Sequence, residues 1–379
     1  MSEKRILIVA GEPSGDLHAS NLIKNLRSIE TNLHFLGIGG SLSKSEGVEI
    51  VYDISELAVI GATDVLKKIF SIRKAYNTLL ERISKTRPDL AILIDYPGFN
   101  LRLARALKKR KIPILYYISP QVWAWGRNRI KTISECVDKM LVFFRFEEEL
   151  YRKSGIDVEF VGHPLLDTVK ATEAKDSVLR KYNLAENALT IVLLPGSRAM
   201  EVRTLLPIMA RAAEIMKERL GRVQFAIAKH PDLESKLYEG LLKNSKIDFH
   251  IVESDTYNML GASDFALVAS GTATLETAIM GTPLLITYKV NLINFILYKL
   301  VSRTRFLGLI NVIAGKEIAP ELLQFDATPE KIAQKAVEFL TDTNRIISMK
   351  DELKKLRSSL GTQGASLRAA RAILPLIKQ

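Results

Sequence analysis

Short apolar runs alternate with longer stretches in which apolar residues recur at helical spacing, and the alternation persists along nearly the whole chain. This is the pattern of parallel strands joined by crossover helices. It predicts strands near 5–10, 33–37, 90–95, 114–118, 139–143 and 158–161, then a second set near 190–194, 224–228, 249–252, 265–268 and 283–287. Between the sets lies 167–187, a polar stretch rich in Lys, Asp and Glu that reads as a linker and the first helix of a second domain. The tail from 329 onward reads as helices, with Ile332, Ala336, Phe339 and Leu340 on one stripe and Leu353, Leu356 and Leu360 on another. The expected architecture is α/β, with two doubly wound, Rossmann-like domains, 1–168 and 169–354, facing a central cleft. The C-terminal helix, about 355–379, is free to pack back on the first domain. Ligands in such sheets bind at the carboxyl ends of the strands, so the cleft is the expected active site.

Composition changes this picture only at the margins. A chain of 379 residues, 47% hydrophobic and 25% charged, is an ordinary globular protein too long for a single small module. Its one cysteine, Cys136, excludes an internal disulfide framework and a multi-thiolate metal site, and fits a reducing compartment. The N-terminus shows no secretory pattern, so the cytoplasm is expected. Charge is more informative. The excess of 54 basic over 42 acidic residues, a net +12, attracts phosphorylated substrates, anionic lipid or nucleic acid through its long-range field. Arg102, Arg105, Lys108, Lys109, Arg110 and Lys111 fall within ten positions, and no acidic residue occurs from 277 to 316. Within that stretch the apolar run 290–301, followed by Arg303, Arg305 and Phe306, is too short for the ~20 apolar residues of a membrane span. It suits an anionic membrane surface, or else a buried helix whose lysines reach solvent. The run 59–70, with Lys67 and Lys68, is a second such candidate. No basic stripe interleaved with aromatics marks an RNA-binding module, so nucleic acid is not an expected partner.

Several loops between a strand and a helix could carry chemistry. In Gly11-Glu12-Pro13-Ser14-Gly15-Asp16 the glycines allow a tight turn, Ser14 or Asp16 could cap the helix, and its amides could hold an oxygen-rich ligand. Asp95 closes an apolar strand before Tyr96-Pro97-Gly98-Phe99-Asn100. There it is either a helix cap or a general base whose proton affinity is raised by partial shielding. Glu12 and Asp16 are equally open as the proton acceptor. Ser119-Pro120-Gln121-Val122-Trp123-Ala124-Trp125-Gly126 holds both tryptophans, and Gln121 and Trp123 suit the apolar side of a sugar or an acyl chain, or simply packing. In the second half, Ser197 and Arg198 precede a helix expected to open after Glu201, and a guanidinium there fits a diphosphate. Ser270-Gly271-Thr272-Ala273-Thr274-Leu275-Glu276 offers small residues and open amides for phosphate, with Glu276 placed to accept from ribose hydroxyls. The alternative for both loops is structural capping. His163 sits between the domains as a hinge or a ligand. No Asp-x-Asp pair, Walker lysine or His-x-x-x-His is present, so neither a metal nor another cofactor is expected.

Taken in order, GEPSGD (11–16), IDYPGFN (94–100), YYISPQVWAWG (116–126), FVGHPLLD (160–167), LLPGSR (193–198), SGTATLE (270–276) and NVIAGKEIAPELLQ (311–324) resemble the lipid-A-disaccharide synthases. These are inverting glycosyltransferases of the two-Rossmann-domain GT-B type. One departure is Pro13, where a small residue such as Ala is expected. The resemblance implies transfer of a 2,3-diacylglucosamine unit from UDP-2,3-diacylglucosamine to the 6-hydroxyl of 2,3-diacylglucosamine 1-phosphate, giving the β(1→6) disaccharide 1-phosphate and UDP. It implies peripheral work at the cytoplasmic face of the inner membrane and is compatible with a homodimer. Asp95 and Glu12 become the catalytic candidates. Arg198, Ser197, Ser270, Gly271, Thr272, Glu276 and Asn311 become donor-binding residues, and Ser14, Asp16, Gln121 and Trp123 acceptor or loop residues. The nearest rivals of the same fold are a lipid-intermediate N-acetylglucosaminyltransferase and a UDP-sugar 2-epimerase.

Overall fold

The computed structural model describes residues 3–58, 65–120, 122–123, 128–290 and 305–377. Two compact units result, one built from 1–164 together with 360–379, the other from 165–359.

The first unit holds a parallel sheet of seven strands: β1 (Lys4–Ala10), β2 (Leu33–Gly39), β3 (Glu49–Asp53), β4 (Leu90–Ile94), β5 (Ile114–Tyr117), β6 (Lys139–Val142) and β7 (Val158–Phe160). Their order is β3-β2-β1-β4-β5-β6-β7. Alternation along β1 sorts its side chains between two cores. Leu7 and Val9 pack with Leu93, Leu103 and Tyr116 on one face, while Ile6 and Ile8 pack with Leu22, Ile92 and Leu115 on the other. Covered on both faces, the strand can be apolar at every position. The second face is closed by the helix Pro13–Ile29 and by the C-terminal helix Ala365–Ile377, whose Ala369, Ala370, Ile373 and Ile377 join that core.

The second unit has six parallel strands: β8 (Leu189–Leu194), β9 (Val223–Lys229), β10 (His250–Glu253), β11 (Phe265–Ala269), β12 (Leu284–Tyr288) and β13 (Glu321–Leu323), ordered β10-β9-β8-β11-β12-β13. Every strand pair in both sheets is parallel. In each sheet the order reverses once, between β1 and β4 and between β8 and β11. At such a switch point the loops leave adjacent strand ends toward opposite faces and open a crevice for ligand. Of these strands, β3 and β13 are absent from the sequence expectation, and both are short, half-buried edges. Most of the apolar run 290–301 and the segment 59–64 fall outside the described residues. Of the second membrane-facing candidate, Ile69 and Phe70 are described and exposed. No described helix is long and apolar enough to cross a membrane.

Candidate active site

The switch point of the first sheet brings the ends of β1 and β4 together. β1 leads through Gly11 to Glu12, which occupies the N-cap of the helix Pro13–Ile29 with Pro13 at its first turn. Gly11 is dictated by Tyr96: a Cβ on residue 11 would stand 2.1 Å from a ring carbon of that tyrosine. β4 ends at Asp95, and here the backbone is unusual. Asp95 and Tyr96 have φ of 44° and 43°, two successive left-handed residues that are not glycine, at a cost of roughly 1–2 kcal/mol each. Buried groups hold the turn. The Tyr116 hydroxyl donates to the Asp95 carbonyl at 2.6 Å, and Asn100 Nδ2 donates to the same oxygen at 2.8 Å and to the Ile94 carbonyl at 3.1 Å. Asp95 N–H donates to Tyr117 O, and Phe99 and Asn100 N–H both donate to Tyr96 O.

Strained backbone maintained this way re-aims a side chain. Burial, and then the Glu12 carboxylate nearby, push the Asp95 carboxyl up to about 6. The helix-cap alternative fails: the N-cap of the helix Pro97–Lys109 is Tyr96, and no side chain caps it.

Two expectations for the first loop need correction. Neither Ser14, which is exposed, nor Asp16 caps the helix. Asp16 is 3% exposed, and its carboxylate accepts from the amides of Gly40 (2.8 Å), Leu42 (3.1 Å) and Ser43 (3.1 Å). It clasps the turn after β2 and has no face left for substrate. Gln121 lies outside the described residues. Trp123 is half-buried, with its ring edge-to-face on Phe146 and its indole N–H directed at Glu147. His163 is buried against Phe143 and Phe144, and burial together with His18 holds it at about 3, a neutral imidazole. Its amide donates to Leu360 O, tying the end of the first segment to the returning chain.

In the second unit the loops after β8 and β11 line a cavity of about 350 Å³ together with Lys229, His230 and Thr256. Ser197, Ser270, Gly271, Thr272 and Glu276 all face it. Gly196 has φ of +127°, and a Cβ there would press on Glu201. The helix opens at Ala199, not after Glu201. Glu201 stands in its first turn and accepts from the amides of Ser197 (3.1 Å) and Arg198 (3.3 Å). Those amides therefore serve the loop itself. Arg198 is the N-cap, its side chain is 83% exposed, and it is not among the lining residues.

The amide of Ser270 donates to Thr287 O, so it too is engaged. The first turn of the helix Thr272–Met280 leaves later amides, Thr272 and Ala273, directed out of the helix end. Glu276 accepts from the Tyr257 hydroxyl at 2.9 Å, and burial raises its carboxyl above the ordinary value. The expected direct role of Asn311 is also corrected. It is fully buried, donating to Ala319 O and Glu321 and accepting from Ile318 and Ala319 amides. Glu321 in turn receives the amides of Leu307 and Gly308, and Leu307 O accepts from Ser270 Oγ at 3.4 Å. Asn311 thus braces the loop behind the cavity.

Sequence reasoning passed over Lys229, His230, Thr256 and Tyr257. The signal was present for the first two, since Lys229 ends β9 at the carboxyl edge of the sheet and His230 follows it. Among the described residues no three His, Cys, Asp or Glu side chains are grouped to hold a metal.

Comparison with known proteins adds the family. Residues 6–373 match the family model described as LpxB, lipid-A-disaccharide synthetase. A lipid-A-disaccharide synthase of Syntrophus aciditrophicus is 45% identical over 380 residues, covering 100% of this chain and 99% of the relative. One from Coxiella burnetii is 39% identical over 377 residues and covers both chains in full. Among solved structures, Acinetobacter baumannii MurG superposes with a TM-score of 0.59 at 16% identity over 99% of each chain. An S. aureus MnaA-UDP structure reaches 0.63 at 16% identity, covering 99% of this chain and 98% of that one. At such low identity these two speak for the fold alone.

Proposed function

Because the chain belongs to the lipid-A-disaccharide synthetase family, and is a GT-B glycosyltransferase of lipid A synthesis, we propose that its two switch points divide the reaction between them. The second unit grips the nucleotide of UDP-2,3-diacylglucosamine. The amides of Thr272 and Ala273 and the hydroxyls of Ser197, Ser270 and Thr272 meet the diphosphate, and Glu276 accepts from the ribose. Arg198, exposed and 3.5 Å from the Glu201 carboxylate, exchanges that partner for the diphosphate once donor is bound, where its fork can pair with two oxygens.

The first unit supplies the base. Asp95 takes the proton from the 6-hydroxyl of 2,3-diacylglucosamine 1-phosphate as O6 bonds to the anomeric carbon. The bond from that carbon to the diphosphate breaks, and the electron pair leaves with UDP. A single displacement inverts the centre and gives the β(1→6) linkage. Charge develops on the departing diphosphate, and fixed dipoles at a helix N-terminus stabilise it without reorganising.

The observation that carries the assignment is the Asp95 carboxyl, held by strained backbone beside Glu12 and raised to about 6, a proton affinity matched to a base working near neutrality. Glu12 contributes by keeping that affinity high. Both substrates are acylated and phosphorylated, which fits the net +12 charge and contact with the cytoplasmic face of the inner membrane. The test is an assay of the purified protein with the two diacylated substrates, followed by mass spectrometry for the disaccharide 1-phosphate. Release of UDP without disaccharide, or turnover of UDP-N-acetylglucosamine with no acylated acceptor, would refute the reading.

A further inference from the structure

Glu147 is a carboxylic acid buried where no mechanism described above uses it. It stands in the first turn of the helix Arg145–Arg152, just beyond β6, and is 3% exposed. Two strands away is Asp95; the intervening β5 leads into the loop carrying Ser119 and Trp123. Glu147 reaches into that loop. Trp123 Nε1 donates to Glu147 Oε1 at 3.3 Å, and Ser119 bonds to the same carboxyl. Ser119 Oγ is also 2.8 Å from the Tyr151 hydroxyl and donates to Pro120 O at 2.9 Å. The indole rests edge-to-face on Phe146, which stacks on Phe144.

A helix N-terminus favours a carboxylate by up to ~1 kcal/mol in exposed settings, whereas full burial of an ionised carboxylate without a cation costs several. Burial wins, and the carboxyl is pushed up to about 8. The group therefore works near neutrality as a protonated acid, a hydrogen-bonding side chain that an amide can imitate.

Burying an acid in an aromatic pocket is unfavourable unless its hydrogen bonds are needed. Here the carboxyl accepts from the backbone of Phe143 and Phe144 at the start of its own helix, and both of its side-chain partners, Ser119 and Trp123, lie in one loop at the edge where Asp95 stands. We infer that Glu147 is the positioning residue of the Ser119–Trp123 loop, holding the Trp123 indole in place for the acylated acceptor. The inference rests on the proposed acceptor role of Trp123 and adds the group that fixes it.

The experiment uses the full chain carrying Trp125→Phe, in which Trp123 is the only indole, and compares Glu147, Glu147→Gln and Glu147→Leu. Each is checked for folding by circular dichroism and for UDP affinity by calorimetry. Glu147→Gln is expected to keep the indole emission and the KM for 2,3-diacylglucosamine 1-phosphate. Glu147→Leu is expected to shift the emission to the red and to raise that KM about tenfold, the effect of one lost buried hydrogen bond, with UDP affinity unchanged. Should the leucine variant not fold, Glu147→Met, which also lacks the carboxyl oxygens, is read in its place, with the same expected red shift and rise in acceptor KM. Unaltered emission in Glu147→Leu, or a glutamine variant as impaired as the leucine one, would overturn the positioning role. A released indole with an unchanged acceptor KM would overturn instead the reading of Trp123 on which it rests.

Discussion

Asp95 shows how a single side chain acquires its chemistry from backbone. Its left-handed φ would be unfavourable for any aspartate, yet Tyr116 and Asn100 fasten its carbonyl from the core, and the carboxyl is left half-buried beside Glu12. Asp95→Asn should therefore lower kcat by about 10² to 10⁴, the usual worth of a positioned base, and leave UDP affinity alone. In the parent enzyme kcat should rise through an apparent pKa near 6, because only the ionised carboxylate accepts the proton. Stability should move the opposite way. A carboxyl with a higher pKa folded than unfolded binds more protons in the native state, so stability is greatest below about 4 and declines as pH rises to 6. Asp95→Asn should abolish that decline and raise stability at pH 7 by of the order of 1–3 kcal/mol, discounted for partial exposure. Urea melts of both proteins at pH 4 and 7 would show it; equal stabilities at pH 7 would contradict the buried-charge account.

Elements decide which of these groups meet. The strands whose runs are apolar throughout were legible because covered parallel strands need no polar face, and Glu12 and Asp95 were both visible as residues at strand ends. That they are neighbours follows from β1 pairing with β4, which no local pattern states. The edge strands escaped for the converse reason: Glu49–Asp53 is half-exposed and only five residues long, and Glu321–Leu323 has only three residues. Asp16 looked like a cap or a base because its partners, Gly40 to Ser43, are 24 to 27 residues away. Asn311 was a donor-binding residue by resemblance alone, and its hydrogen bonds to Ile318, Ala319 and Glu321, 7 to 10 residues on, are spent inside its own loop. Asp16→Ala should accordingly act on the first unit's stability. Three amides, two of them buried, lose their acceptor, at a cost of about 1–3 kcal/mol by chemical denaturation, while the KM for the donor stays as it was. A large loss of kcat in a fully folded Asp16→Ala protein would return Asp16 to the list of catalytic groups.

At the scale of the whole chain, the first unit is assembled from two distant stretches, 1–164 and 360–379. The pairing of helix Pro13–Ile29 with helix Ala365–Ile377 closes the second core of its sheet, through Ala19, Leu22 and Ile23 on one side and Ala369, Ala370 and Ile373 on the other. The consequence is that the frame behind Glu12 depends on residues at the far end of the chain. Ile373 is fully buried, so Ile373→Ala leaves a cavity and should cost about 2–5 kcal/mol. The loss should be confined by topology. Hydrogen exchange should quicken in β1 and in the helix Pro13–Ile29, while β8 and β11, whose core is built from 165–359, keep their protection. Equal loss of protection in both sheets would mean that the two units unfold as one cooperative body, and the effect of a remote C-terminal substitution could then no longer be assigned to the base-bearing unit.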